Sequence, residues 1–421
     1  MFSSRLPDDL DENAVSRLLG ERRSCGRPVI DLTLSNPTHA GFDYPIPEIR
    51  EAIARGAERG YDPNPRGLPA AREAIAEYYS GEGEGMGDGE RIDANAIVCT
   101  TSSSEAYSML FKLLCEPGDE ICIPHPAYPL FSWLAALDAV RVSPYNLRLA
   151  ADGRWGIDMA SLDMAITERT RAVIVVNPSN PAGNYLRPDE FVQLDSLCAR
   201  RGIALITDEV FWDYPLEASI DAGNLRRRTA GISGEALRFT INGLSKLLAL
   251  PQMKLGWMLV EGPARLCEEA LARLDVIADA YLSVSTPVMA AAPALLGLRA
   301  VMQEQIRVRC ASNLARVRAL FAHDAMANRE GTNRTGAASR ATTQATLLFP
   351  EGGWSAMLAL PADVDEEAQA LRLLDEHGVL VHPGSLFDFP RGKFLVLSLL
   401  VRHRDFENGT KELVASLENP T

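Results

Sequence analysis

The stretch Arg171-Ala172-Val173-Ile174-Val175-Val176-Asn177-Pro178-Ser179-Asn180-Pro181-Ala182-Gly183 decides how the chain is read. From Ala172 to Val176 the run is apolar and mostly β-branched, with no polar residue at alternate positions. Such a run fits a strand buried on both faces, as in a parallel sheet covered by helices, and not a strand with one wet face. A turn rich in proline and glycine stops it, and Pro188-Asp189-Glu190 then opens a helix. The same order of short strand and longer helix recurs on both sides. Ala96-Ile97-Val98-Cys99 leads through Ser103-Ser104-Glu105 into a helical pattern from Ala106 to Leu114; Glu120-Ile121-Cys122-Ile123, Ile203-Ala204-Leu205-Ile206-Thr207 and Arg238-Phe239-Thr240-Ile241 repeat the strand. Residues 94 to 260 therefore predict βαβ units, an α/β fold with a mainly parallel sheet flanked by helices.

Past residue 262 the texture changes to long Ala/Leu/Arg helices, expected over 263–278 and 287–323, followed by a polar segment over 325–345. Alternating patterns return at 354–360, 379–381 and 394–399, with a helix expected over 364–377, which predicts a smaller α+β domain. The segment Ile30-Asp31-Leu32-Thr33-Leu34 is a strand without a nearby partner and is expected to join that domain. The expected division is an N-terminal arm of residues 1–45 joined to the small domain, a large domain of 46–285 and a small domain of 286–421.

With 42 Lys and Arg against 56 Asp and Glu, the net charge is −14, and no basic cluster interrupts it. Nucleic acid and anionic membranes are thereby excluded as expected partners. The seven cysteines (Cys25, Cys99, Cys115, Cys122, Cys198, Cys267, Cys310) are scattered, odd in number and never spaced Cys-x-x-Cys. They read as reduced thiols, with neither a disulfide framework nor a metal site expected. The N-terminus has no apolar signal region, and no stretch reaches the ~18 apolar residues of a membrane span, so the expected location is the cytoplasm.

The chemistry centres on Lys246, in Asn242-Gly243-Leu244-Ser245-Lys246-Leu247, just after a predicted strand. A lysine among small residues, with Lys254 eight positions on, suits a Schiff base to an aldehyde cofactor bearing an anionic tail. Asp208 ends another buried strand and needs a cationic partner at that depth, such as a protonated pyridine nitrogen. Asn180 lies in the proline-rich turn, where its amide can donate to a phenolate oxygen. Thr101, Ser102 and Ser103 stand between strand and helix, where N–H groups and hydroxyls form an anion cradle. Tyr128 offers an aromatic face. Singly, these residues read as a turn lysine, a cap, a turn former or a core aromatic; together, each at the carboxyl end of a strand, they describe one site.

In these motifs the chain resembles the fold-type I pyridoxal-phosphate enzymes, specifically the class I/II aminotransferase family, over roughly residues 30 to 415. Asn36-Pro37-Thr38, Tyr61 with Gly67 and Arg72, Thr101 to Ser104, Pro126-Ala127-Tyr128, Asn177 to Gly183, Asp208-Glu209, Ser245-Lys246 and Pro383-Gly384-Ser385 occur in family order. The resemblance implies a seven-stranded type of sheet and pyridoxal 5'-phosphate as cofactor. It implies a ping-pong transfer of an amino group from an amino acid or amine to a 2-oxo acid. Lys246 would carry the cofactor and move the proton. Asp208 would pair with the ring nitrogen, Asn180 would bond the ring oxygen and Tyr128 would stack. Thr101, Ser102, Ser103 and Lys254 would bind the phosphate, and Ser245 would also contact the cofactor. Tyr61 would reach that phosphate from a neighbouring subunit, so a homodimer with shared sites is implied. Asn36 and Arg402 are the candidate substrate contacts.

Three departures stand against the family pattern. Phe211 occupies a position that is commonly tyrosine; Lys254 stands where arginine is frequent; and Val396, in Phe394-Leu395-Val396-Leu397-Ser398, takes the place of the arginine for the substrate carboxylate. Arg402, Arg404 or the arginines of the polar segment (Arg329, Arg334, Arg340) are the expected substitutes; otherwise the substrate carboxylate is masked, absent or held by backbone groups. Two other functions are carried alongside: a β-eliminating lyase on the same cofactor, and a non-catalytic ligand-sensing domain, against which the lack of a helix-turn-helix pattern before residue 30 argues.

Overall fold

The computed structural model describes residues 3–6, 12–80, 92–151, 153–216, 226, 228–331 and 345–418. Strand β1 (Ile30–Asp31) precedes the central sheet, which is built from β2 (Ile97–Thr100), β3 (Glu120–His125), β4 (Arg141–Leu149), β5 (Trp155–Ile157), β6 (Thr170–Val176), β7 (Ala204–Asp208), β8 (Arg238–Gly243) and β9 (Gly256–Glu261). Its order is β2-β9-β8-β7-β6-β3-β4-β5. Neighbours from β8 through β7, β6 and β3 to β4 run parallel; β9 is antiparallel to both of its neighbours, and β5 folds back on β4. The short β5 brings the strand count to eight and covers the β4 edge.

The deciding stretch behaves as its composition requires. Ala172, Ile174 and Val176 enter one core cluster with Phe239 and Ile241, while Val173 and Val175 enter another with Leu205 and Leu194. Both faces of β6 are thus dry. The helix Pro188–Arg201 starts with proline in its first turn and a Glu190 side chain accepting from the Arg187 N–H at 2.9 Å. It ends at Gly202 with φ 64°, a left-handed cap that suits glycine.

Register fixes where the functional turns lie. Val176 pairs with Asp208, and Asp208 with Ile241, so β6, β7 and β8 end side by side. At the other edge, a Cβ on Gly256 would lie 3.1 Å from the Ser102 carbonyl carbon; glycine lets the turn after β2 approach β9.

β10 (Thr346–Leu348), β11 (Ser355–Leu360), β12 (Val379–Leu380), β13 (His382–Pro383) and β14 (Lys393–Ser398) follow. β10-β11-β14-β13 form an antiparallel sheet, and β1 pairs in parallel with β12, which gives the early strand its partner. The helix expected over 263–278 is Ala264–Asp279. That expected over 287–323 is two helices, Thr286–Gly297 and Arg299–Gly331, broken at Leu298. The break follows packing: Met289, Ala292 and Leu295 join Leu244 and Trp257, whereas Met302, Ile306 and Cys310 join Leu32, Leu395 and Leu399. The second helix also runs into the segment expected to be a polar loop, to Gly331; Arg334 and Arg340 lie outside the described residues. No helix among the described residues is long and apolar enough to cross a membrane.

Candidate active site

The carboxyl ends of the parallel strands open into a cavity of about 330 Å³, closed on its far side by the antiparallel sheet. Lys246, Ser245, Asp208, Asn180, Tyr128, Ser102 and Ser103 all line it. These expected residues come from separate chain segments, and strand register brings them together.

Lys246 lies in the short helix Leu244–Leu247 directly after β8. Its backbone is pinned, since the Tyr214 hydroxyl donates to the Lys246 carbonyl at 2.6 Å. Its Nζ makes no hydrogen bond among the described residues and lies 5.3 Å from the Trp354 ring centroid and 5.8 Å from that of Phe211. The two rings pack edge to face, 5.2 Å apart. Burial lowers the Lys246 pKa, only partly opposed by the Asp208 charge, and so favours the neutral amine that a nucleophile requires.

Asp208 is 7% exposed at the end of β7. Val210 N–H donates to its Oδ1 at 3.1 Å and the Tyr107 hydroxyl to its Oδ2 at 3.0 Å. Both donors are neutral, and burial pushes the carboxyl up to about 6 despite them and despite Lys246. A carboxylate held this way, facing a cavity, fits a cationic ring nitrogen. On the same cavity, Ser103 and Ser104 head the helix Ser103–Leu114, where their N–H groups have no intrahelical acceptor and suit a phosphate. The donor set therefore fits pyridoxal phosphate: an amine for the aldehyde, an acid for the ring nitrogen and a helix start for the phosphate.

Five expected residues stand apart. Thr101 does not line the cavity, because its N–H and hydroxyl donate to Glu105 Oε2 at 2.6 and 3.0 Å; an acid one helical turn on has claimed them. Lys254 is exposed, at φ 52° after the turn Pro251–Met253, and only Pro251 of that turn reaches the cavity. Asn36 accepts from Thr38 N–H and hydroxyl at 3.1 and 2.7 Å, capping its own turn; Thr33 and Ser35 line the cavity in its stead. Arg402 is exposed and lies against Gly41, outside the cavity. Tyr61 is 71% exposed and lines a separate, shallow depression with Asn64 and Leu282.

Val396 does line the cavity, 2% exposed, at the position expected for a carboxylate-binding arginine. Sequence reasoning missed Tyr107, Trp354 and His382. Tyr107 sits in an apolar helical pattern that reads as core, and Trp354 and His382 are more than a hundred residues from Lys246. No local signal ties any of them to the site.

The sequence profile of the family described as "Aminotransferase class I and II" matches residues 27–398. The chain is 28% identical over 273 residues to an alanine aminotransferase of Mycobacterium tuberculosis, covering 65% of this chain and 61% of that protein's length. Two solved structures share the fold at a TM-score of 0.82. One is an aminotransferase from Escherichia coli, 22% identical, with 100% of this chain and 98% of that one covered. The other is an alanine aminotransferase from Pyrococcus furiosus, 21% identical, with 99% and 100% covered.

Proposed function

We propose that this chain, which belongs to the class I and II aminotransferase family, is a pyridoxal-phosphate-dependent aminotransferase. Members of that family use pyridoxal phosphate. Transfer would run in two half-reactions between an amino donor and an oxo acceptor; the names of its relatives make an amino acid and a 2-oxo acid the first pair to test. The observation that carries the proposal is the meeting of Asp208, buried with only neutral hydrogen-bond donors, and Lys246, free of hydrogen bonds among the described residues, on one cavity.

Lys246 would hold the cofactor through its Nζ and would take the proton from the donor's amine-bearing carbon. When bound, pyridoxal phosphate supplies an electron sink for the pair that this proton leaves behind. Asp208 would keep a cation at the ring nitrogen, with Tyr107 and Val210 fixing its two oxygens. Asn180 would donate to the ring oxygen and Tyr128 would offer its ring for stacking. Ser102 and Ser103 would hold the phosphate with Ser245 nearby on the cavity, and Lys254 would add positive charge from outside it.

Tyr61 is exposed and does not line its own chain's cavity, which supports a homodimer in which it completes the site of a second copy. A cytoplasmic location accords with the acidic balance and free cysteines. The division into an arm of 1–45, a large domain of 46–285 and a small domain of 286–421 is part of the same proposal, with one adjustment. Packing of Thr286–Gly297 on Leu244 and Trp257 favours a boundary at Leu298.

Purified protein given pyridoxal phosphate should absorb near the visible edge, and a productive amino donor should bleach that band. A protein that stays colourless with added cofactor refutes the proposal.

A further inference from the structure

The wall of the cavity formed by the antiparallel sheet is where a substrate's own substituents would lie. Val396 and Ser398 fall on one face of β14, and register places His382 across from Val396 and Ser355 across from Ser398. All four line the cavity. The Ser398 hydroxyl is already committed, donating to the Leu34 carbonyl at 2.5 Å and accepting from Leu400 N–H at 3.2 Å. The Ser355 hydroxyl and the His382 ring make no hydrogen bond among the described residues, and burial lowers the His382 pKa, which keeps the ring neutral. Phe211 and Trp354 complete an aromatic side.

Among the described residues, Lys246 is the sole lysine or arginine in this lining. The nearest expected substitute, Arg402, packs on Gly41. A free carboxylate placed against Val396 would lose water and gain no cation from the described residues, which is strongly unfavourable in a buried site. A neutral group would lose little and could bond Ser355 or His382.

We propose that the substrates of this site carry no free carboxylate on the reacting carbon: the donors are amines or carboxyl-masked amino compounds, and the acceptors the matching aldehydes or ketones. This rests on the transaminase reading above and narrows it. In the donor half-reaction the substrate carbon gives up its hydrogen and its amino nitrogen, gains the oxygen and leaves as an aldehyde or ketone. The cofactor's aldehyde carbon gives up that oxygen, takes the hydrogen and nitrogen, and is reduced to the amine.

The test uses the cofactor-loaded protein and three donors that share one side chain: phenylalanine, phenylalaninamide and 2-phenylethylamine. Single-turnover bleaching should be at least about tenfold more efficient for the amide or the amine than for the free acid, equivalent to about 1.4 kcal/mol. Binding of the three reduced phosphopyridoxyl conjugates to the cofactor-free protein should follow the same order, and these affinities decide the matter even if none of the three turns over. Val396→Arg should reverse the order in favour of the acid. Equal or better handling of the free acid by the unmodified protein overturns the substrate class and leaves the transaminase reading standing. A protein that binds no pyridoxal phosphate overturns both.

Discussion

Replacing Asp208 with asparagine should make the cofactor-free protein more stable and, at the same time, unable to hold its cofactor well. Burial raises the Asp208 pKa from 3.8 to about 6. At about 1.36 kcal/mol for each tenfold change in a proton equilibrium, that rise is worth about 3 kcal/mol between the two protonation states. Below the unfolded pKa both folded and unfolded chains carry the proton, and the group is neutral to stability. As pH rises through the window from about 4 to 6 the unfolded chain ionises while the folded one still holds its proton. Stability therefore falls across that window and stays lowered above it. Asparagine keeps the shape and cannot ionise. Urea unfolding of the cofactor-free protein at pH 8 should find Asp208→Asn more stable by up to about 3 kcal/mol, with the gap closing toward pH 4. Added pyridoxal phosphate should then stabilise the unmodified protein far more than the variant, because a ligand that binds only the folded state shifts the balance by mass action. A gap that does not change with pH, or a variant less stable at pH 8, would show that Asp208 is not the strained group and sink the reasoning.

Other outcomes follow from the same geometry. Lys246→Ala should retain the fold, lose borohydride-trappable cofactor and leave little turnover; near-normal turnover would refute its role. Tyr107→Phe removes the 3.0 Å bond to Asp208 Oδ2, so cofactor affinity measured by titration should drop by roughly fivefold, about 1 kcal/mol. That affinity should also fail at a higher pH as the solution is acidified. Phe211→Tyr supplies a hydroxyl where the structure has only a ring 5.8 Å from Lys246 Nζ; a spectrophotometric pH titration of the bound cofactor should reveal a shifted midpoint. Mixing inactive Lys246→Ala and Tyr61→Ala proteins should restore activity, since the mixed dimer would own one site with both residues intact. No restoration would place Tyr61 outside the shared site.

The central sheet was legible because its strands are dry on both faces. Every residue from Ala172 to Val176 had to be apolar, and the run announces itself. The edge pair β4–β5 was not legible. β4 reads Arg-Val-Ser-Pro-Tyr-Asn-Leu-Arg-Leu, with only Tyr145 and Leu147 buried, so neither alternation nor an apolar run marks it. The break at Leu298 was hidden for a different reason: the sequence remains helical through it, and only the division of neighbours between two cores explains why the helix stops. In the site, the expected residues at strand ends line the cavity because strand ends are predictable. Thr101 lies off it, its two donors taken by one local competitor, Glu105. Asn36 lies off it likewise, its acceptor turned inward on Thr38. Tyr107 and Trp354 could not be found at all, since an aromatic that serves a site from within a core has the same pattern as one that only fills space.

Two of the departures from the family pattern leave apolar side chains on the cavity that holds Lys246. Phe211 removes a hydroxyl from beside Lys246 and Val396 removes a cation from the wall, while the Trp354 ring, in contact with Phe211, also lies near Nζ. A hydroxyl near Nζ would solvate the ammonium form, and an arginine nearby would repel it. With neither present, desolvation is left as the leading influence on the lysine, and desolvation favours the neutral amine. The same burial that lowers the Lys246 pKa also disfavours a charged substrate beside it. A site tuned this way gains a reactive amine at moderate pH without needing a positive neighbour to push the proton off. In exchange it gives up the charge that would hold an α-carboxylate. Restoring both polar groups together, as Phe211→Tyr with Val396→Arg, should therefore shift substrate preference more than either change alone, because each side chain borders the same cavity as Lys246 and their effects need not add.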